Sequence, residues 1–351
     1  MFDGPFTLEP DAHERRARLR LARTRRIGPV GFQEALAHFG SAQAACRQIT
    51  TVSDAEIARD EEALARLGGR SLVLGDTDYP AALAALPDAP PVLSALGDVS
   101  LLARRCIAIV GAREASVAGR RFAAQLASEL GAAGFCVVSG LARGIDASAH
   151  EAALPAGTVA VLAGGADEIY PPQNAGLYAE VAARGLVLSE CTVGTPAVAR
   201  AFPRRNRIVS DLSLGVVVIE AAEKSGSLIT AHRALEQGRE VFVAPSSPMD
   251  PRYSGSNNLI RDGAILARNA NDIISVFGAH HVAPQAVEKP MEKLSPATPS
   301  QVLAALGSVP TAVDELARRC QVSAAAMADI LLSLELEGRL ERHRGNRVSL
   351  I

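Results

Sequence analysis

Four stretches of this sequence crowd together the residue types that hold phosphate. They are Gly111-Ala112-Arg113, Ser139-Gly140-Leu141-Ala142-Arg143-Gly144-Ile145-Asp146, Phe202-Pro203-Arg204-Arg205-Asn206-Arg207 and Lys224-Ser225-Gly226-Ser227-Leu228-Ile229-Thr230. Small residues at a helix start expose backbone N–H groups and the positive end of the helix dipole, which suits an anion. Gly226 and Ser227 read as opening a helix in this way. Arg113, Arg204, Arg205 and Arg207 add guanidinium forks that can grip phosphate oxygens in pairs. For any one such loop the ordinary alternative is a tight turn with its arginines in solvent; four together argue for a polyanion site. Only 4% of residues are aromatic, yet Phe202 directly precedes the arginine cluster, in what reads as a loop. An aromatic ring there can stack on a base while the arginines hold phosphates, or it can prop the loop from beneath.

Several rival chemistries fail on the same residues. A dinucleotide site needs G-x-G-x-x-G after the first strand and an acid ending the second, whereas this chain has Gly111-Ala112-Arg113-Glu114-Ala115-Ser116 and Ser139-Gly140. No G-x-x-x-x-G-K-[ST] loop is present, which removes the ordinary NTPase reading. His150 and His232 fall on expected helices, where packing or surface roles are the default, and Asp146 and Asp167 sit in glycine-rich turns that carboxylates commonly cap. Five scattered cysteines never form a C-x-x-C pair, which fits reduced thiols and argues against structural zinc. Nucleophile, base and orienter do not assemble, so binding without catalysis, cofactor or metal is the expectation.

The elements that must position these loops are legible as an alternation. Short apolar runs at Ile107 to Val110, Phe135 to Val138, Val159 to Leu162, Leu186 to Leu188, Val216 to Ile219 and Val241 to Val243 are separated by helical segments. Continuous apolar strands of this kind belong to a parallel sheet buried on both faces. The expected fold class is α/β: a doubly wound, mostly parallel Rossmann-like sheet, whose ligands gather at the carboxyl ends of its strands. Two further strand candidates, Ser71 to Leu74 and Val92 to Leu96, extend this domain to residues 71–278. Before it, residues 1–14 read as a tail and 15–70 as a helical module of the sterile-alpha-motif or helix-hairpin-helix kind, with an Ile27-Gly28-Pro29 turn. Seven arginines between Arg15 and Arg26 can track a phosphate backbone, although a charge run on a helix is ordinarily a solvated face. After the sheet, 279–297 reads as a Pro-rich charged linker, and 298–351 as three helices and a β-ribbon, the pattern of a winged helix.

Composition sets outer bounds. The 351 residues, with 36 basic and 38 acidic side chains, are those of an ordinary globular protein, so any positive field must be local. Residues 104–277 carry 17 basic and 16 acidic side chains. Thirty-three of the 36 basic residues are Arg. No apolar stretch is long enough to cross a bilayer, and the expected location is the cytoplasm. The third helix of the winged region, Ser323 to Glu337, holds no Lys or Arg, which makes it a poor major-groove reader; Arg339, Arg342, Arg344 and Arg347 of the wing can still touch phosphates.

Taken in order, Val110-Gly111-Ala112-Arg113, Val138 to Asp146 with His150, Ile169-Tyr170-Pro171 with Asn174 and Leu188-Ser189-Glu190 resemble the DNA-processing protein A (DprA, or Smf) family. So do Phe202-Pro203 with Arg205 to Ile208, Ser225 to Ala231, and Gly255 with Asn257, Leu259, Ile260 and Gly263-Ala264. The resemblance implies a single-stranded-DNA-binding recombination mediator of natural transformation. Such a protein protects incoming DNA, helps load RecA recombinase, and works as a homodimer through the Rossmann-like domain without catalysis. Carried onto matching positions, its DNA pocket takes in Gly111, Arg113, Ser139, Gly140, Arg143, Gly144, Arg200, Phe202, Arg204, Arg205, Asn206, Arg207, Lys224, Ser225, Gly226 and Ser227. The family's first loop commonly carries Ser or Thr where this chain has Ala112, so a hydroxyl contact is missing there. A small-nucleotide-binding enzyme or sensor using the same crevice is the alternative.

Overall fold

The structure is a computed structural model describing residues 10–278, 299–306, 311–320, 322, 324–337, 339–343 and 347–350. Residues 1–9 of the expected tail and the whole expected linker lie outside these residues. The chain divides into two compact units, Met1–Val282 and Ala283–Ile351.

The first unit opens with four helices, α1 (Ala12–Arg23), α2 (Pro29–Phe39), α3 (Ala42–Gln48) and α4 (Asp54–Arg66). Helix α1 starts earlier than the sequence suggested because Asp11 caps it, accepting from Glu14 N at 2.8 Å. Pro29 fixes the first turn of α2, and Gly40, at φ 77°, ends it. Ser53 and Glu56 form a reciprocal capping box on α4. The arginine run proves largely structural. Arg15 pairs with Asp76 and donates to Ser71 O, Arg18 donates to Leu74 O, and Arg20 donates to Val52 O. Arg23 reaches Glu190 O at 2.9 Å. These guanidiniums staple α1 to the chain behind it, and only Arg25 and Arg26 at the end of the run are exposed among those not tied in this way or to Asp54.

Among the described residues, nine strands form one sheet in the order β1-β2-β6-β5-β4-β3-β7-β8-β9. They are β1 (Gly69–Val73), β2 (Val92–Gly97), β3 (Cys106–Gly111), β4 (Cys136–Ser139), β5 (Thr158–Leu162), β6 (Leu186–Ser189), β7 (Gly215–Ile219), β8 (Glu240–Val243) and β9 (Ile265–Leu266). Strands β3 to β9 are parallel to their neighbours, while β1 and β2 add an antiparallel edge beside β6. The helices α5 (Ala81–Ala84), α6 (Val117–Ala132), α7 (Ile145–Ala153), α8 (Ala175–Arg184), α9 (Ala201–Asp211), α10 (Gly226–Glu236), α11 (Ser254–Arg261) and α12 (Ala270–Phe277) complete the unit. Strands β4 to β7 are buried along their whole length, and Ile107 and Ile109 of β3, Phe135 just before β4 and Phe242 of β8 are among the fully buried side chains. Each such side chain contributes about 1.5–3 kcal/mol through burial. From β3 the chain winds outward through β4, β5 and β6, then returns to place β7 on the other side of β3. That reversal puts the topological switch point between β3 and β7.

The second unit holds α13 (Pro299–Ala305), α14 (Val313–Cys320) and α15 (Ala324–Leu336), with β10 (Thr311–Ala312), β11 (Leu340–His343) and β12 (Arg347–Leu350) in a small antiparallel sheet. Val302, Leu316, Met327, Leu331, Leu334 and Val348 make its core. Three helices and a ribbon are the winged-helix arrangement expected. Of the wing arginines, Arg339 and Arg347 are exposed and Arg344 lies outside the described residues.

Candidate nucleic-acid interface

The loops after β3, β4 and β7 converge, with the start of α9, on the switch point. Gly111 is required there because the backbones of β3 and β7 close up: a side chain would collide with the carbonyl oxygen of Ile219. Two adjoining depressions open on this edge. One, of about 540 Å³, runs past Gly111, Arg113, Pro203, Lys224, Gly226 and Arg252. The other, of about 260 Å³, lies between Arg143, Gly140, Gln173, Tyr170 and Pro171. Arg113, Ala142 and Phe202 line both and so stand at their junction.

Phe202 is the pivot of the surface. Its ring centroid lies 5.4 Å from that of Tyr170 at an interplanar angle of 60°. The Arg113 guanidinium stands 5.1 Å from the same centroid, within cation–π range. Residues Arg200 to Arg207 correct the sequence reading: they are the N-cap and first turns of α9, not a loop. Helical geometry sends neighbouring side chains to different faces. Arg205 therefore turns inward, is 6% exposed, and donates to Val161 O at 2.5 Å. It packs so tightly under Gly140 that a side chain at Gly140 would meet its guanidinium. Burial lowers its pKa to about 10, partly offset by Asp146, so it stays cationic at neutral pH. Its role is beneath the groove floor, not on a phosphate as expected.

Arg207 departs further. It pairs with Glu190 at 2.5 Å, donates to Asp88 O at 2.6 Å, and approaches Asp211 at 3.9 Å, away from both depressions. Arg204 is exposed but held at 3.1 Å by the same Glu190. Arg200 is exposed at the α9 N-cap and lines neither depression. Asn206 donates to Gly226 O, tying α9 to the start of α10. Ser139 is fully buried and spends its hydroxyl on Ile109 O. The amides of Gly140 and Ala142 are likewise committed, to the buried Asp146 carboxylate, which burial raises in pKa. Gly144 takes φ 78° to start α7, close against the Ala112 carbonyl.

Of the expected cations, Arg113, Arg143 and Lys224 face the groove from exposed positions beside the start of α10, while Arg205 and Asn206 line its inner wall. Ser225 caps α10 by accepting from Ser227 N, its hydroxyl lies 2.7 Å from that of Ser227, and no acid occupies the first turn. This leaves the positive helix end open to an anion, as the glycine and serines suggested. His150 is buried: it accepts from Leu141 N through Nε2 and contacts Thr158 Oγ1 through Nδ1 at 2.7 Å. Burial, with Arg205 nearby, lowers its pKa to about 3, so it is a neutral strut under the 139–144 loop. Sequence reasoning passed over Arg252 and Tyr170 as lining residues. Glu220, directly after β7 at φ 54°, was given no role from sequence; it accepts from Ser116 N at 2.7 Å and Tyr253 OH at 2.5 Å. An acid closing an apolar run was the available signal.

The comparisons agree with this architecture in all three regions. The family described as DNA recombination-mediator protein A matches residues 70–278, the DprA winged helix domain matches 285–346, and the DprA-like N-terminal HHH domain matches 12–66. Protein Smf of Synechocystis is 37% identical over 313 residues, covering 78% of each chain. Protein Smf of Escherichia coli is 39% identical over 288 residues, covering 80% of this chain and 77% of its own. The crystal structure of DNA processing protein A from Streptococcus pneumoniae superposes with a TM-score of 0.67 at 30% identity, covering 77% of this chain and 99% of its own. That of the Helicobacter pylori protein, solved for its single-stranded-DNA binding mode, gives 0.55 at 33% identity, covering 60% and 95%. Because the matched segments run through the helical module, the sheet and the winged helix in one order, this chain belongs to the DNA recombination-mediator protein A family.

Proposed function

We propose that this protein binds single-stranded DNA in the switch-point groove and acts as a recombination mediator that protects the strand and helps load RecA recombinase onto it in natural transformation. The carrying observation is the combination of an open groove, exposed Arg113, Arg143 and Lys224, an uncovered α10 start, and the Phe202–Tyr170 pair at one junction. Cations and helix amides hold phosphates whatever the sequence, and an aromatic face accepts any base, which together give sequence-tolerant single-strand binding. The single-stranded-DNA mode described for the Helicobacter pylori relative supports the same use here. The acids and histidine beside the groove are locked in structural hydrogen bonds, which favours binding over catalysis. We take the protein to work in the cytoplasm as a homodimer through the Rossmann-like domain. The edge strand β9, which leaves Leu266 40% exposed, supports a partner copy against this sheet.

Fluorescence-anisotropy titration with oligo-dT of increasing length, beside a duplex of equal length and at two salt concentrations, tests this reading. Affinity that rises with length, falls with salt and favours the single strand is expected. Saturation by a mononucleotide with no gain from length would assign the smaller depression to a small-nucleotide ligand instead. Accelerated RecA filament formation on coated single strands is the expected outcome of the loading assay.

A further inference from the structure

A second basic concavity lies on the helical module, away from the residues of the groove. It has a volume of about 260 Å³, and its walls are His13, Arg16 and Arg20 of α1, Arg47 of α3, and Asp54 at the start of α4. Residues 13, 16 and 20 share one face of α1 by helical spacing. Arg20 is held rigidly, donating to Val52 O at 3.0 Å and Thr51 Oγ1 at 2.9 Å, with Asp54 at 3.6 Å. Arg16 donates to Asp54 Oδ1 at 2.6 Å and remains about half exposed. Arg47 and His13 are exposed at the rim. Three guanidiniums thus face one carboxylate. Of the two acids at the start of α1, Asp11 caps the helix and Glu14 is spent on the amides of Ala42 and Gln43 and on Arg18.

We propose that this concavity is a second phosphate-binding site, which takes phosphate groups of a nucleic-acid strand. Arg16 and Arg20, fixed on the Asp54 and Val52 carbonyls, lose little freedom on binding, and the fork geometry of a guanidinium matches phosphate oxygens. Asp54 stands where a phosphate would and holds Arg16 until one displaces it. The shared chemistry also admits a free polyphosphate, so the test has an arm for each source.

The experiment is arginine modification of the full chain by phenylglyoxal, read by peptide mass spectrometry, with oligo-dT or with sodium tripolyphosphate present. Protection of Arg47 and Arg16 by the oligonucleotide alone assigns a strand. Protection by tripolyphosphate as well assigns a phosphate site that a free polyphosphate also fills. Reactive Arg47 and Arg16 beside a protected Arg113 overturn the second site and leave the groove standing. Protected Arg47 beside a reactive Arg113 does the reverse. Two variants of opposite sign complete the test: Arg47→Ala lowers the log–log salt slope of oligo-dT binding by about 0.7, and Asp54→Asn tightens binding by exposing Arg16. Equal behaviour of both variants and the parent, each folded by circular dichroism, overturns the proposal.

Discussion

Arg113 and Arg205 both approach the ring of Phe202, at 5.1 and 6.0 Å, yet they do different work. Arg113 is exposed, so Arg113→Ala is expected to lower the single-strand salt slope by about 0.7 and leave stability unchanged. Arg205 is buried, donates to Val161 O and lies near the buried Asp146, and stripping such a buried acceptor of its partner costs about 1–3 kcal/mol. Arg205→Ala is therefore expected to unfold at markedly lower urea. A variant with the parent's midpoint and a reduced salt slope would return Arg205 to the interface. Phe202→Ala is expected to weaken oligo-dT binding by about 1–3 kcal/mol through lost stacking; affinity unchanged within error would make the ring a prop for Tyr170 and Arg113 only. Residue type placed these side chains near a phosphate. Which of the α9 side chains turn toward the groove follows from the hundred-degree step between neighbours on that helix.

At the scale of elements, the 139–144 loop is shaped from below. Leu141 N donates to His150 Nε2, and Nδ1 faces Thr158 Oγ1, which itself donates to Val137 O at 2.7 Å. These bonds join α7, β4 and β5 through a neutral imidazole. Its folded pKa of about 3 lies below the 6.5 of a free histidine, so the unfolded chain takes up a proton that the folded chain refuses. The contribution is complete above pH 6.5 and is lost as pH falls from 6.5 toward 3. Urea midpoints measured from pH 7.5 to 4.5 are expected to drop more steeply for the parent than for His150→Gln. Parallel curves would show that this imidazole does not govern acid stability. The six apolar runs of the sheet were legible because parallel strands buried on both faces must be apolar throughout. Strand β9 escaped notice, since two residues paired with a single neighbour carry no periodicity.

On the scale of the whole molecule, every lining residue of the groove belongs to the first unit, and α15 of the second carries no Lys or Arg. A chain ending at Val282 is therefore expected to bind oligo-dT with the full chain's affinity and salt slope. A loss of more than tenfold would bring the winged helix into single-strand binding. Local pattern alone determined the α/β class and the family resemblance and marked the loops proposed to hold phosphate, because burial periodicity, glycine turns and helix starts are written in neighbouring residues. Tertiary structure alone decided which cations face the groove. Arg207 is drawn to Glu190 and Asp211, Arg205 is sunk under Gly140, and Arg15, Arg18 and Arg23 of α1 are spent on carbonyls. A charge is neutralised by partners far away in sequence, and only the fold brings those partners within a few ångströms.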